Sequence, residues 1–393
     1  MTVLICGGGV AAIEALLRLR RLAGDTVVLN LLCPGEELIY RERTVLVPFG
    51  LGEAERHPIQ RIVEDTGAHW VRDRAASVDL PARTVHTVGG RQLPYDALLL
   101  APGGRERTPN PHVSVFSDRT SGHLYRQIVQ QLDIGAIRNV VLSEPPGPSW
   151  PLPLYELALL TAKHAHDRGL RPSIAVVTPQ PRPLHAFGDE VGRRVEALLG
   201  EAGIALHTRT RARVDGPQLL HLEPAGIDLR PDRIVTLPTI TGPNLRGIPG
   251  DAVDRFISVD QRCRVRHTGG HIFAAGDATD LPVKNGSLAA QQADTAAAGI
   301  AHLAGGGPAP AALRPLLRGA LLTGDKPLYL EAYLIAGTGW RAHIHDQPPW
   351  RSAQLVVAEE LAAYFTNPLP YGSHIPPLRS TVRADRFRPR SSA

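Results

Sequence analysis

Short apolar runs separated by glycine turns set the rhythm of the chain. An apolar strand at Val3 to Ile5 breaks at Gly7, Gly8 and Gly9 and resumes as a helix, and residues 1 to about 110 continue to alternate strand, helix and strand. Two further apolar strands near 138–142 and 173–178 flank a helical stretch, as in a second unit of the same kind. A late apolar strand within 271–279 runs into Gly276 and Asp277, and a Gly/Ala/Pro-rich linker at 304–312 opens a C-terminal region. The pattern predicts an α/β protein of two three-layer domains with parallel sheets, the second inserted in the first. The expected boundaries are 1–110 with 250–305 for the first, 111–249 for the second and 306–393 for a C-terminal capping or interface region.

Gly7, Gly9 and Ala12 stand at GxGxxA spacing directly after the first strand. Gly7 allows the tight turn, Gly9 lets backbone approach a pyrophosphate, and Ala12 allows close helix-strand packing, with the phosphates facing a helix N-terminus. This is the Rossmann-like dinucleotide-binding arrangement, although a glycine-rich turn taken alone can be just a turn. The second segment changes the weight of the first. Gly276 and Asp277, together with residues 281–294, resemble the second FAD fingerprint of pyridine-nucleotide-disulfide-type flavoproteins, in the branch of sulfide:quinone oxidoreductases and type II NADH dehydrogenases. Residues 38–50, 95–104, 247–250 and 256–265 carry the resemblance further along the chain.

The resemblance implies FAD as cofactor and an oxidoreductase as activity. It implies that Glu14 supports the FAD site, that Asp277 accepts from a ribityl hydroxyl, and that the helix starting near Gly286 and Ser287 points at the flavin pyrimidine. Ala101 and Gly103 fall on the pyrophosphate-side turn. Tyr40, Arg41, Arg43 and Glu156 face the isoalloxazine if the matched segments keep their usual placement, and each also has a plain structural reading. Lys284 is the candidate to stabilise a reduced flavin electrostatically, the alternative being a surface lysine. The expected catalytic set is Lys284, Tyr40 and Glu156.

Three departures make the chain specific. Prolines at 145, 146, 148, 151 and 153 withdraw amide donors where a second glycine fingerprint belongs, and Trp150 fills space there, so the second dinucleotide site is expected to be lost while its fold remains. An unusual NAD(P)H site built on Arg or helix-end contacts is the alternative. Cys6, Cys33 and Cys263 lie in separate segments without a dithiol spacing, which speaks against sulfur relay or thiol exchange. Cys33 also stands where an acid binds the adenosine ribose. Either Glu36 or Glu37 reaches back, or other groups hold the ribose, or the site binds weakly or is empty.

Composition narrows the classes further. At 393 residues the chain is long for one core, and 43% hydrophobic with 21% charged residues fits a soluble globule. The formal charge of +5 rests on 40 Arg against three Lys, with no basic run that would read as a nucleic-acid surface. No apolar stretch reaches about 18 residues and Met1 leads straight into the first strand, so the expectation is a cytoplasmic protein without a transmembrane segment. His164 and His166 lie two apart on different helix faces, and His343 with His345 lacks a third ligand, so metal binding is not expected. Trp340, Trp350, Tyr364 and Phe365 are candidates to roof a pocket for a small organic substrate, or to serve as core.

The reading reached is an FAD-dependent oxidoreductase that passes a hydride or two electrons between a small-molecule substrate and flavin. Oxygen, a quinone or another carrier would be the acceptor, and a homodimer is left open. An NAD(P)H:acceptor reductase with an atypical nucleotide site and a non-catalytic binding protein that retains the fold are the alternatives.

Overall fold

Parallel strands cannot be joined by tight turns, so each pair needs a crossover, and this chain supplies helices for it. A computed structural model describes residues 1–117, 121–251, 253–335, 339–350 and 357–366. The first unit opens with β1 (Thr2–Cys6), α1 (Val10–Ala23) and β2 (Val28–Leu32), followed by the antiparallel pair β3 (Glu37–Tyr40) and β4 (Glu55–Pro58). Then come α2 (Ile59–Thr66), β5 (His69–Val71), a meander of β6 (Ala75–Asp79), β7 (Thr84–Thr87) and β8 (Gln92–Pro94), and β9 (Ala97–Leu100). After β10 (Arg105–Arg107), β11 (Ser114–Val115) and α3 (Ser121–Asp133), the same plan repeats. It runs β12 (Asn139–Ser143), α4 (Leu152–Asp167), β13 (Ser173–Val177), α5 (Asp189–Glu201), β14 (Ala205–His207), the meander β15 (Arg211–Gly216), β16 (Leu219–Glu223) and β17 (Ile227–Leu229), and β18 (Arg233–Thr236).

The chain then returns through β19 (Thr239–Thr241), which pairs antiparallel with β10, to β20 (Ile272–Ala274) and α6 (Gly286–Leu303) of the first unit. The two five-stranded parallel sheets have the orders β20-β9-β1-β2-β5 and β11-β18-β12-β13-β14. In each, the first strand of the repeated plan lies in the centre. Hence β1 and β12 are screened from water on both faces and read as near-continuous apolar runs.

One face of the first sheet is covered by α1 and α6, which meet through small residues such as Ala11, Ala12 and Ala15 on one helix and Ala289, Ala293, Ala296 and Ala297 on the other. The opposite face carries Leu4, Cys6, Leu98 and Ile272 and is closed by Val78, Val85 and Leu93 of the meander. α1 is formed by alanines and leucines, strong helix formers, and stops at Gly24, whose φ of 50° lies in the left-handed region.

The C-terminal region is an antiparallel sheet of β21 (Leu316–Leu321), β22 (Leu328–Ile335) and β23 (Gly339–His345), followed by α7 (Glu359–Thr366). Alternation along its strands gives one apolar face, and Leu317, Leu321, Leu328, Leu330 and Ala332 join the core of the second unit beside Leu152, Leu154 and Phe187. The Trp340 side chain and the Pro- and Arg-rich tail from 367 onward lie outside the described residues. Leu330 is fully buried at the centre of this contact. Leu330→Ala should therefore lower the unfolding free energy by about 2–5 kcal/mol, read by chemical denaturation, and a loss under about 1 kcal/mol would show that the sheet rests loosely on the second unit.

Candidate functional site

Three glycine turns converge where β1, β9 and β20 end. Gly7 sits at φ 141°, and a β-carbon there would lie 2.0 Å from the Ala101 carbonyl oxygen, so backbone contact alone requires glycine. At Gly104 a β-carbon would come within 2.3 Å of Ile240 and 3.4 Å of the Asp277 carbonyl oxygen, and at Gly276 within 3.2 Å of the Ala11 β-carbon. Gly9 and Gly103, by contrast, face open space with no heavy atom within 4 Å of a β-carbon position. Gly9 is the N-cap of α1 and offers no side-chain cap, so the first-turn amides of α1 are presented at an exposed helix end. Amides and positive helix potential in an open glycine cradle fit a pyrophosphate.

The Gly276 turn is braced from α6. Gln292 accepts the Gly276 N–H at 2.9 Å and donates to Thr279 Oγ1 at 3.0 Å, while Thr279 returns a hydrogen bond to the Gly276 carbonyl at 2.9 Å. Asp277 is half-buried on this braced turn. Asn285 caps α6 by accepting the Leu288 N–H and donates to the Arg318 carbonyl, so one side chain joins the helix start to β21. Gln291 forms a reciprocal pair with the backbone of Leu316 on the same strand. Asn285, Gln291 and Gln292 were missed in the sequence. Their signal was the presence of amides in an otherwise alanine-rich helix.

Other expected site residues have different neighbours. Lys284 is buried, with Nζ 3.6 Å from the Phe256 ring centre and 2.5 Å from the Thr279 carbonyl to which it donates. Burial lowers its ammonium to about 8 against the opposing pull of Asp277 and Asp280. It is therefore not a surface lysine, and it supports the Asp277 turn from within. Glu14 is fully buried, and its carboxylate accepts the Glu360 and Leu361 N–H groups of α7. Ser287 accepts the Val357 N–H. Tyr40 is buried edge-on to His57 and Phe365. Arg41 is exposed, 4.0 Å from Glu106.

Cys33 packs its sulfur where a Gly8 β-carbon would be, at 2.1 Å, so the missing Gly8 side chain makes room for it. Glu36 and Glu37 do not reach back towards it. They are exposed and pair with Arg72 at 3.4 Å and Arg56 at 2.9 Å. All three cysteines are free and buried, and burial pushes the Cys6 and Cys263 thiols up to about 12 and the Cys33 thiol upward.

At the equivalent place in the second unit, side chains pack beside the end of β12. Glu144, at the end of β12, is buried and accepts from the Tyr155 hydroxyl at 2.6 Å, with Tyr155 fully buried. Trp150 packs on Phe187 with ring centres 5.9 Å apart and lies against β21 at Gly319. α4 starts with Pro151 as N-cap and a proline in its first turn, which removes a donor from the helix end. Beyond it, Glu156 is buried and accepts the Leu322 N–H at 3.0 Å, tying α4 to the turn after β21.

The pyridine nucleotide-disulphide oxidoreductase family matches residues 1–132. A sulfide-quinone reductase of Aquifex aeolicus (strain VF5) is 25% identical over 300 residues, covering 71% of this chain and 69% of the relative. Among solved structures, the sulfide:quinone oxidoreductase from the hyperthermophilic bacterium Aquifex aeolicus superposes with a TM-score of 0.79 at 20% identity, covering 88% of this chain and 87% of that one. This family match covers residues 1–132, and the likeness to the solved structures extends the shared fold over most of the chain. A ferredoxin reductase from Rhodopseudomonas palustris shares the fold at a TM-score of 0.65 and 21% identity, with 88% of each chain covered. No helix among the described residues is long and apolar enough to cross a membrane.

Burial raises Glu156 from the ordinary 4.5 to about 8, with the Leu322 amide opposing. A carboxyl raised on folding stabilises the protein fully below about pH 4.5 and loses that contribution as pH climbs to 8, at no more than about 1.4 kcal/mol per pH unit for one proton. Glu156→Gln keeps an acceptor for Leu322 and should flatten the slope of unfolding free energy against pH between 5 and 8. An unchanged slope would place Glu156 in water rather than in the core.

Proposed function

We propose that the protein is a flavoenzyme with one working nucleotide site, in which a small organic substrate gives a hydride or two electrons to FAD and a quinone or another non-nucleotide carrier removes them. The contrast between the two crevices carries this reading. The first presents the glycine turns of Gly7, Gly9 and Gly103 to a helix N-terminus, whereas the second has prolines in its turn and the buried Glu144–Tyr155 pair, with Trp150 against β21. Bound FAD supplies two-electron chemistry that amino-acid side chains lack. In this reading the α1 amides hold the pyrophosphate, Asp277 accepts from a ribityl hydroxyl, and the N-terminus of α6 favours negative charge at the flavin end. The ribose is held without a carboxylate at Cys33.

Lys284 acts as a positioning residue, fixing the Asp277 turn through the Thr279 carbonyl. Buried thiols with raised pKa are poor nucleophiles at neutral pH, which supports chemistry without cysteine relay. A quinone acceptor is favoured by the likeness to the sulfide-quinone reductase, while the buried thiols argue against sulfide as donor.

Three measurements test this reading. Asp277→Ala should weaken FAD retention by about 1.5–3 kcal/mol, roughly ten- to a hundredfold in affinity, the worth of a hydrogen bond to a charged group. Unchanged FAD affinity in that variant would move the site away from Asp277. In the holoenzyme, NADH and NADPH should leave the flavin oxidised under anaerobic conditions, and single Ser replacements of Cys6, Cys33 and Cys263 should retain substrate-driven reduction. Rapid saturable bleaching by either nucleotide, or a persulfide trapped on Cys33 or Cys263 after sulfide addition, contradicts the proposal.

A further inference from the structure

α7 and the residue before it are held on the first unit by contacts to five elements, among them Tyr40 of β3 edge-on to Phe365. Glu14 Oε1 accepts the Glu360 N–H at 2.9 Å and Oε2 accepts the Leu361 N–H at 2.8 Å, so one buried carboxylate takes two amides of the α7 N-terminus. Glu360 in turn accepts from Arg18 and Arg21 of α1, each at 2.7 Å. Tyr364 donates to Asp65 of α2, and Phe365 stacks on His57 of β4 at 3.7 Å between ring centres. The Val357 N–H, just before α7, bonds Ser287 at the start of α6. Ala358, Leu361 and Tyr364 complete the contact as buried core.

The charges under this helix do not balance. Glu14, Asp294 of α6, Glu359 and Glu360 face Arg18 and Arg21, four carboxylates against two guanidinium groups. At the margins stand Tyr40 beside Glu14, His57 with Glu55 at 3.8 Å, and Asp65 with Arg61 at 3.8 Å. Asp294 lies 3.8 Å from Arg18, and its Oδ1 is buried without a hydrogen bond. Burial raises both Glu14 and Asp294 to about 8. Asp294 adds to the effect on Glu14, and Glu359 and Glu360 add to the effect on Asp294. The two α7 amides favour the charged form of Glu14, which leaves Asp294 to hold the proton.

We propose that α7 is a strap that docks by retaining a proton at the Glu14–Asp294 pair and loosens as that proton is lost. Proton retention in the docked state makes docking strongest at low pH. Docking then weakens as pH rises from the ordinary carboxylate range to 8, by at most about tenfold per pH unit for one proton. On the function proposed above, the Val357–Ser287 bond passes this change to the cofactor end of α6.

Hydrogen exchange of the full-length holoenzyme tests the device, with rates for 357–366 divided by their intrinsic values at pH 6 and pH 8.5 and α5 as internal reference. The wild type should lose at least tenfold protection in α7 across that interval while α5 stays constant. Asp294→Asn imitates the protonated acid and should keep α7 protected at both pH values. Glu359→Gln, on an exposed position of α7, removes a charge that raises Asp294 and should therefore shrink the loss of protection across the interval. Equal protection of wild-type α7 at both pH values overturns the strap, as does wild-type pH dependence in both variants. FAD dissociation measured in parallel should accelerate with pH in the wild type and not in Asp294→Asn. A pH-dependent strap with a pH-independent FAD release rate would remove the link to the cofactor and leave the docking proposal standing.

Discussion

No β-carbon can stand between Gly7 and Ala101. The ends of β1 and β9 approach so closely that the Ala101 carbonyl oxygen occupies the place a side chain would need, and Gly104 and Gly276 allow the same intimacy with β19, the Asp277 turn and α1. These approaches bring three strand ends to one point and set α1 against α6 at alanine-to-alanine distance. Because the contact is backbone to backbone, it fixes the direction in which the α1 amides and the Asp277 turn face. Everything expected of the cofactor site depends on that direction, since helix-end potential acts within the first turn.

The chain uses one plan twice and gives its two copies different ends. Each unit runs strand, helix, strand, helix, strand, meander, strand, and each places its crevice beyond the ends of the central strands. In the first unit glycines leave the crevice open. In the second, the central strand is followed by Glu144, the next helix has a proline in its first turn, and Tyr155 bonds Glu144 in the interior. The C-terminal sheet lies over Trp150 at Gly319, so the second unit also serves as a packing partner for that sheet.

α6 connects these parts. Gln292 braces the Asp277 turn, Asn285 and Gln291 hold β21, and Ser287 receives the segment leading into α7. A helix with an alanine face can pack tightly on α1 while a few polar side chains, each with a partner, register three other elements against it. The cost of burying such amides is met by complete hydrogen bonding, which also makes their geometry specific.

Turn chemistry was legible in the chain because it is local. Glycine spacing after an apolar strand is enough to read the turns at Gly7 and Gly276 and the parallel α/β class, since each depends on neighbours a few residues away. The two meanders and the pairing of β21 to β23 were not legible, because short strands with polar outer faces resemble loops until a core is set beneath one face. Side-chain destinations were hidden for a different reason. Glu14 stands in a cofactor-binding segment, yet its partners lie 346 and 347 residues further on. Lys284 reads as a free cation until Phe256 and Thr279 are folded against it. Local sequence sets backbone geometry through sterics, whereas the partner and charge state of a buried polar group depend on which distant segments remove it from water, and tertiary structure alone decides that.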